Sequence, residues 1–111
     1  MTVIGLDVGT TAVKAVAFDD GATRMAVREY PMLSPHPGWQ VQDPDQIVAA
    51  VLDALAEVFA PDVTGVAVSA AMHGLIGLDA QYQPLTPLIT WADGRAWEQT
   101  AALRSTELYD I

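Results

Sequence analysis

The sequence predicts one α/β domain whose mixed sheet begins with an antiparallel meander of three strands. Two short apolar runs are joined by a very short linker, one long amphipathic segment follows, and a run of β-branched and small residues comes after that. The chain has 111 residues, of which 51% are hydrophobic, which is enough for the core of one small domain. The order β-β-β-α-β is typical of α/β domains.

The first three strands are predicted from apolar runs that turn residues separate. Residues 3–8 and 12–18 form the first two runs, and the linker Gly-Thr-Thr at residues 9–11 is so short that these strands must pair antiparallel. Asp-Asp-Gly at residues 19–21 predicts the next turn. The alternation over residues 24–30 then predicts a third strand.

A helix is predicted over residues 44–59. Asp43 is a good N-cap, and Pro44 suits the first helical position. Large apolar side chains recur at helical spacing along the segment, at Ile47, Val51, Leu55 and Phe59. Pro61 ends the helix because proline cannot continue the hydrogen-bond ladder.

The second half of the chain predicts further strands and a second helix. Residues 63–70 are mostly β-branched or small, which favours a buried strand. Residues 75–78 and 88–91 are predicted as short strands. Residues 93–109 are predicted as a helix, although the apolar stripe there is weaker.

The composition excludes several classes of protein. Five basic residues face fourteen acidic ones, for a net charge of −9, which argues against a nucleic-acid partner. No apolar run is long enough to cross a membrane, the start lacks the basic region of a signal peptide, and there is no cysteine for a disulfide or thiolate site. We expect a cytoplasmic protein that meets no membrane.

The motif Asp-Val-Gly-Thr-Thr at residues 7–11 lies between the first two strands and matches neither the Walker nor the Rossmann pattern. Gly9 lets the backbone turn sharply, and amide and hydroxyl groups of the turn can line a concavity that binds anions. Asp7 would repel phosphate unless Mg²⁺ lay between them. For this motif alone, an ordinary hairpin turn is the alternative.

Four motifs, in the same order, resemble the FGGY family of carbohydrate kinases. IGLDVGTTAVKAVAFD resembles the family's phosphate-binding hairpin, and GWQVQDPDQI resembles the segment that enters its first helix. SAAMHGLIGLD and PLTPLITWADGRA resemble its sugar-side segments. The resemblance implies the ribonuclease H-like, or actin-like ATPase, fold. It also implies ATP and Mg²⁺ as cofactors, and a sugar or sugar acid as the acceptor of phosphate.

On the phosphate side, the resemblance implies that Asp7 holds Mg²⁺ and that four residues contact ATP: Gly9, Thr10, Thr11 and Lys14. Lys14 has an alternative, because it can simply lie on the exposed face of the hairpin.

On the sugar side, the resemblance implies contacts from Met72, His73, Trp91, Asp93 and Arg95. Each has a structural alternative. Met72 and Trp91 can fill the core, and His73 can be satisfied by a backbone carbonyl near a turn. Asp93 can cap the last helix with Arg95 in its first turn.

The stretches around Met72-His73 and Trp91–Arg95 look most like gluconate kinases. Ala71 precedes the Met-His pair, where xylulose kinases usually carry Gln, whereas Gly74 is shared with xylulose kinases. The resemblance therefore favours gluconate, phosphorylated at a terminal hydroxyl. Xylulose or another pentulose is the alternative substrate.

The resemblance covers only the leading part of the family's first domain. The aspartate that activates the hydroxyl, the adenosine pocket and the second phosphate segment match no residue here. We interpret residues 1–111 as an incomplete N-terminal domain with no catalytic residue, and expect the isolated chain not to turn over. An unpaired sheet edge and exposed apolar surface would favour homo-oligomers. A non-catalytic, truncated, self-associating domain is the remaining hypothesis.

Overall fold

The structure, a computed structural model, describes residues 1–110. Six strands, two α-helices and one 3₁₀-helix follow one another along these residues: β1 Thr2–Val8, β2 Ala12–Phe18, β3 Thr23–Glu29, β4 Val41–Gln42, α1 Pro44–Val58, β5 Val63–Ala70, β6 Leu88–Ile89, α2 Trp97–Arg104 and the 3₁₀-helix Glu107–Asp110. No helix within residues 1–110 is long and apolar enough to cross a bilayer.

The main sheet has the strand order β3-β2-β1-β5. Strands β1, β2 and β3 form the predicted antiparallel meander, and β5 joins the free edge of β1 in parallel after the chain has passed through α1. A parallel neighbour needs such a crossover, because a tight turn can only reverse the chain. The mixed sheet of the ribonuclease H-like, actin-like fold is therefore confirmed.

The core lies between α1 and one face of the meander. Alternate residues of β1 and β2 point at the helix, and most of them are fully buried: Ile4, Leu6, Val13, Ala15 and Ala17. Ala54 and Val58 of α1 are buried against them. Small alanines on both sides let the helix approach β2 and β3 closely.

Helix α1 begins where the sequence predicts. The Asp43 carboxylate accepts a hydrogen bond from the backbone N–H of Asp45 at 2.9 Å, as an N-cap should. Pro44 occupies the first turn, and the helix ends at Val58, one residue before the predicted end. Local signals were sufficient here because capping and periodicity both lie inside the segment.

The predicted burial of the strand over residues 63–70 is wrong. The strand forms as β5, but residues 64–70 are exposed, with Val68 65% exposed. The physical reason is that α1 packs on β2 and β3, so no element within residues 1–110 covers either face of β5. β5 is instead one edge of the sheet.

Three further predictions need correction. Residues 75–78 are not a strand and make only single bridges, Leu75 to Ile89 and Leu78 to Pro84. The strand expected over 88–91 is reduced to β6, which pairs with β4, a strand that was not predicted.

The second helix begins at Trp97 instead of residue 93 and ends at Arg104, ahead of the separate 3₁₀-helix. The Asp93 carboxylate accepts from the Arg95 N–H and holds residues 93–95 in a turn.

Candidate functional site

The turn between β1 and β2 is tight and is closed by its own backbone. The N–H of Gly9 donates to the carbonyl of Ala12 at 2.9 Å. A Cβ added at Gly9 would lie 3.1 Å from that same carbonyl oxygen, which is closer than side-chain carbons normally pack. Glycine at position 9 therefore fits this turn without displacing the Ala12 carbonyl, and the amide of Gly9 is already used within the hairpin.

The remaining amides of the turn are unpaired. The N–H groups of Thr10 and Thr11 donate to no protein group in the described part of the chain, and neither does the Thr11 hydroxyl. The Thr10 hydroxyl accepts from the indole N–H of Trp91 at 3.1 Å and keeps its own proton to donate. Two backbone donors and two hydroxyls therefore gather on one three-residue turn, the donor set that a phosphate group needs.

The carbonyls of the same turn are all occupied. The Tyr30 hydroxyl donates to the Gly9 carbonyl at 2.6 Å, and the Gln42 side-chain amide donates to the Thr10 carbonyl at 2.6 Å. The backbone N–H of Tyr30 donates to the Thr11 carbonyl at 3.1 Å. The turn is thus fixed from outside by the residue that follows β3 and by a residue of β4.

Asp7 lies at the end of β1 on the sheet face opposite α1. Its carboxylate is exposed and has no hydrogen bond or ion pair with any of residues 1–110. It stands opposite Lys14 in the β1–β2 register, and both border a shallow depression on that face. Lys14 is exposed there and, within the described residues, also unpaired. Lys14 therefore lies on the exposed face of the hairpin, which is the position that the alternative interpretation expects.

A metal ion at this turn would depend on Asp7 and on the ligand itself. Among the side chains that the structure describes, no group of three or more His, Cys, Asp or Glu could hold a metal. Mg²⁺ commonly binds through one or two carboxylates, water and substrate phosphates. One free, exposed carboxylate two residues before a turn with two free amides fits that mode of binding.

A small cavity of about 180 Å³ lies between the turn and the β4–β6 sheet. Gly9 and Thr10 border it on one side, and Met72, Gly74 and Trp91 border it on the other. Met72 is 70% exposed and Trp91 is 60% exposed, so neither fills the core. The structure therefore brings two predicted sugar-side residues against the predicted phosphate turn.

His73 follows directly after Met72 and does not line the cavity, although both its neighbours do. Its backbone has φ = 62°, in the left-handed region that few residues other than glycine adopt. The imidazole is exposed and bonds to no other described residue, so the alternative of a backbone carbonyl partner is not seen. A strained backbone beside a cavity is a reason to suspect a function.

Asp93 and Arg95 form a separate group that does not line the cavity. Their side chains make a two-pronged ion pair, with Arg95 Nε and Nη2 each 2.8 Å from a different Asp93 oxygen. The Asp93 carboxylate also accepts from the N–H groups of Gln40, at 2.8 Å, and of Arg95. The Arg95 guanidinium lies 3.6 Å from the centre of the Trp39 ring, in cation–π geometry. Asp93 does not cap α2, whose N-cap is Ala96.

The electrostatics of this pair follow from its contacts. Hydrogen bonds from the Arg95 guanidinium, and then from backbone N–H groups, hold the pKa of the Asp93 carboxyl well below its usual range. The same carboxylate raises the pKa of Arg95. All four acceptor positions of Asp93 are occupied, so a sugar hydroxyl would have to displace one of these partners.

A family model for the N-terminal domain of the FGGY family of carbohydrate kinases matches residues 2–110. The chain belongs to the FGGY family. The gluconokinase of Bacillus subtilis is 35% identical over 99 residues, and the xylulose kinase of the same organism is 36% identical over 115 aligned positions. These alignments cover 84% and 96% of this chain, respectively.

Solved FGGY kinases share the fold described above. The xylulose kinase from Rhodospirillum rubrum superimposes with a TM-score of 0.89 at 31% identity, covering 99% of this chain and 25% of that protein. The gluconokinase and xylulose kinase from B. subtilis are likewise covered over only 19% and 23% of their lengths. The chain therefore spans about a fifth of the curated FGGY relatives that it matches.

Two residues of this FGGY domain that bond to the turn were not predicted from the sequence, Tyr30 and Gln42. Both contact the turn from positions distant in the chain, and neither carries a charge or a metal-binding group that would attract notice. Gln42 lies inside the quoted segment GWQVQDPDQI, and Tyr30 is the last residue of the predicted third strand. The contact of Gln42 depends on how the segment entering α1 lies against the hairpin, and the contacts of Tyr30 depend on how the end of β3 lies against the turn.

Proposed function

We propose that residues 1–110 supply the phosphate turn and part of the sugar wall of an ATP-dependent carbohydrate kinase that phosphorylates a terminal hydroxyl of gluconate. The observation that carries this proposal is the β1–β2 turn. Its Thr10 and Thr11 amides are unpaired, and the unpaired Asp7 carboxylate reaches the start of the turn, where Oδ2 is 3.9 Å from the place a Cβ on Gly9 would occupy. Because the turn is open to solvent, these donors are free to bind a phosphate oxygen in place of water.

On the phosphate side, each residue has a distinct task. The Thr10 and Thr11 amides and hydroxyls bind phosphate oxygens, and Gly9 keeps the turn tight enough for close approach. Asp7 is the protein ligand for Mg²⁺, directly or through water. When bound, Mg²⁺ neutralises charge on the phosphates during transfer. Lys14 contributes a positive charge beside Asp7.

On the sugar side, Met72, His73 and Trp91 border the acceptor. Trp91 presents an exposed aromatic face while its indole N–H is fixed on Thr10, which ties the sugar wall to the phosphate turn. The neutral imidazole of His73 can donate to one hydroxyl and accept from another. Arg95 retains Nη1 without a hydrogen bond to any of the described residues, and that nitrogen suits the carboxylate of gluconate. We propose that Asp93 contributes by orienting Arg95.

The role of Asp7 is tested by binding ATP to the 111-residue chain with and without Mg²⁺, using calorimetry. With Mg²⁺, Asp7→Asn should weaken binding roughly ten- to a hundredfold, the usual loss for a charge-assisted contact. Without Mg²⁺, the same variant should bind ATP at least as well as the wild type, because a repulsive charge has been removed. Asp20→Asn makes the same charge change at the turn between β2 and β3 and should alter neither result. Equal loss of affinity with and without Mg²⁺ would reject a metal-binding Asp7.

The substrate is tested by measuring turnover of gluconate and of xylulose with the longest protein that the reading frame of this chain encodes. Turnover with gluconate and not with xylulose supports the proposal, and the reverse result replaces it with a pentulose kinase. Relatives of both kinds are matched at nearly equal identity, 35% and 36%, so the resemblance of the Met72-His73 segment carries the preference. A kinase of this kind would work in the cytoplasm, where ATP is supplied.

We expect the 111-residue chain alone not to phosphorylate gluconate. Transfer requires the attacking hydroxyl, a base and the γ-phosphate to be aligned in a closed site. The described residues offer the phosphate turn but no element facing it that would close over ATP. The measurement is release of ADP in the presence of gluconate, and turnover above the level without gluconate would contradict the expectation.

A further inference from the structure

The three carbonyl groups of the phosphate turn are all bonded to groups outside it, unlike the Thr10 and Thr11 amides. Gly9, Thr10 and Thr11 each present a carbonyl that accepts a hydrogen bond from outside the turn. The donors are the Tyr30 hydroxyl, the Gln42 side-chain amide and the Tyr30 backbone N–H. Three consecutive carbonyls are therefore anchored on the same two residues.

Peptide geometry turns this anchoring into an orientation of the amides. In a trans peptide the C=O of one residue and the N–H of the next point in opposite directions. No cis peptide bond occurs within residues 1–110. Holding the Gly9 carbonyl on Tyr30 therefore directs the Thr10 N–H away from Tyr30. Holding the Thr10 carbonyl on Gln42 directs the Thr11 N–H away from Gln42.

Both anchoring residues are themselves well held. Gln42 is only 2% exposed and lies in β4, and Tyr30 is 6% exposed at the end of β3. Burying a side-chain amide or a phenol is unfavourable unless it is hydrogen-bonded. Loss of either bond to the turn would therefore leave a buried polar group without that partner. Burial, followed by the negative charge of Asp7, raises the pKa of Tyr30, which keeps its hydroxyl protonated as a donor.

We propose that Tyr30 and Gln42 are positioning residues that fix the Thr10 and Thr11 amides in the direction from which phosphate binds. This inference rests on the proposed function and deepens it, because it assigns the preorganisation of the phosphate turn to two side chains outside it. Preorganised donors bind developing or existing negative charge more strongly than donors that must first reorient.

The first measurement concerns the turn itself and needs no ligand. Residual dipolar couplings and ¹⁵N order parameters report the direction and rigidity of the Thr10 and Thr11 N–H vectors in the 111-residue chain. Tyr30→Phe removes only a hydroxyl, and Gln42→Glu replaces a donor with an acceptor facing the Thr10 carbonyl. Both variants should lower the order parameters of these two amides. Tyr82→Phe and Gln46→Glu, at exposed sites away from the turn, are the matched controls and should leave them unchanged.

The second measurement is the affinity for ATP with Mg²⁺. Tyr30→Phe should weaken binding roughly three- to tenfold, the usual effect of one hydrogen bond between neutral groups, and Gln42→Glu should weaken it further. Gln42→Met, which has a similar shape and no donor, replaces Gln42→Glu if that variant does not fold. All five variants, the two controls included, are compared with the wild type by circular dichroism so that unfolding is recognised.

The outcomes separate the two proposals. Loss of order and of affinity in both variants, with unchanged controls, supports the positioning role. Unchanged order and affinity in Tyr30→Phe and in the folded Gln42 variant, whether Gln42→Glu or Gln42→Met, overturn it. Loss of order in both variants, in a chain whose wild type binds no ATP, supports the orientation of the turn by Tyr30 and Gln42 but rejects phosphate binding by the turn of this chain.

Discussion

Asp93 and Arg95 stabilise two loops through their own ion pair and hydrogen bonds, whether or not Arg95 also contacts a ligand. The side chain of Asp93 is 2% exposed and accepts hydrogen bonds from both the Gln40 backbone and the Arg95 guanidinium. Arg95 in turn lies over Trp39. Together these contacts join the loop before β4 to the loop after β6. Any contact of Arg95 with a substrate is therefore made by a guanidinium that is already oriented.

The pair should make stability depend on acid pH. The pKa of Asp93 is depressed in the folded chain, so its stabilising effect is fully present above the unfolded value of about 3.9. As pH falls below that value, the unfolded chain takes up the proton first and the effect is lost. Between about pH 5 and about pH 3 the wild type should therefore lose more thermal stability than Asp93→Asn does. Melting curves at these pH values test this, and parallel losses in both proteins would contradict it.

How far the site was predictable depends on where each residue's partners lie. Gly9, Thr10 and Thr11 could be identified from the sequence because a tight turn is a local feature, and the turn forms as expected. Tyr30 and Gln42 could not, because their bonds to the turn span 21 and 32 residues. No pattern in the residues that flank them shows which group either side chain contacts.

For helices and strands too, the correct predictions rest on local sequence features, whereas the incorrect ones depend on contacts with distant parts of the chain. Helix α1 has its cap, periodicity and terminating proline within a single segment. The burial of β5, by contrast, depends on which strands α1 covers, and β4 and β6 exist only because they pair with each other. β4 has only two residues and no periodicity of its own, so no local pattern could have predicted it, and the strand predicted over residues 88–91 keeps only the two residues that pair with β4.

The N-cap of α1 gives a prediction for this element. Asp43→Ala removes the acceptor for the Asp45 N–H and should lower the free energy of unfolding by about 0.5–2 kcal/mol. Gln46→Ala, an exposed change in the same first turn, should cost much less. Urea denaturation measures both, with the m-value unchanged. Equal effects of the two changes would show that the cap contributes nothing specific.

For the whole molecule, the two edges of the main sheet differ in protection. Edge strand β3 carries charged side chains, with Arg24, Arg28 and Glu29 along its length, and Arg28 also pairs with Asp53 and Glu57 of α1. Edge strand β5 has no charged residue in its sequence VTGVAVSA and exposes Val66 and Val68. Charges on an edge strand discourage pairing with another chain, so β5 is the edge at risk.

We therefore expect the 111-residue chain to self-associate through β5. In sedimentation velocity, the weight-average sedimentation coefficient of the wild type should rise with protein concentration. Val68→Lys places a charge on the unprotected edge and should keep the chain monomeric, because pairing would bring two such charges together and bury them. Met25→Lys makes the same kind of change at an exposed site on the protected edge β3 and should leave self-association unchanged. A wild type that stays monomeric over the whole range would contradict the expectation. If Met25→Lys alone abolished association, the contact would lie at β3 or on the exposed sheet face instead, since the edge of β5 would still be intact in that variant.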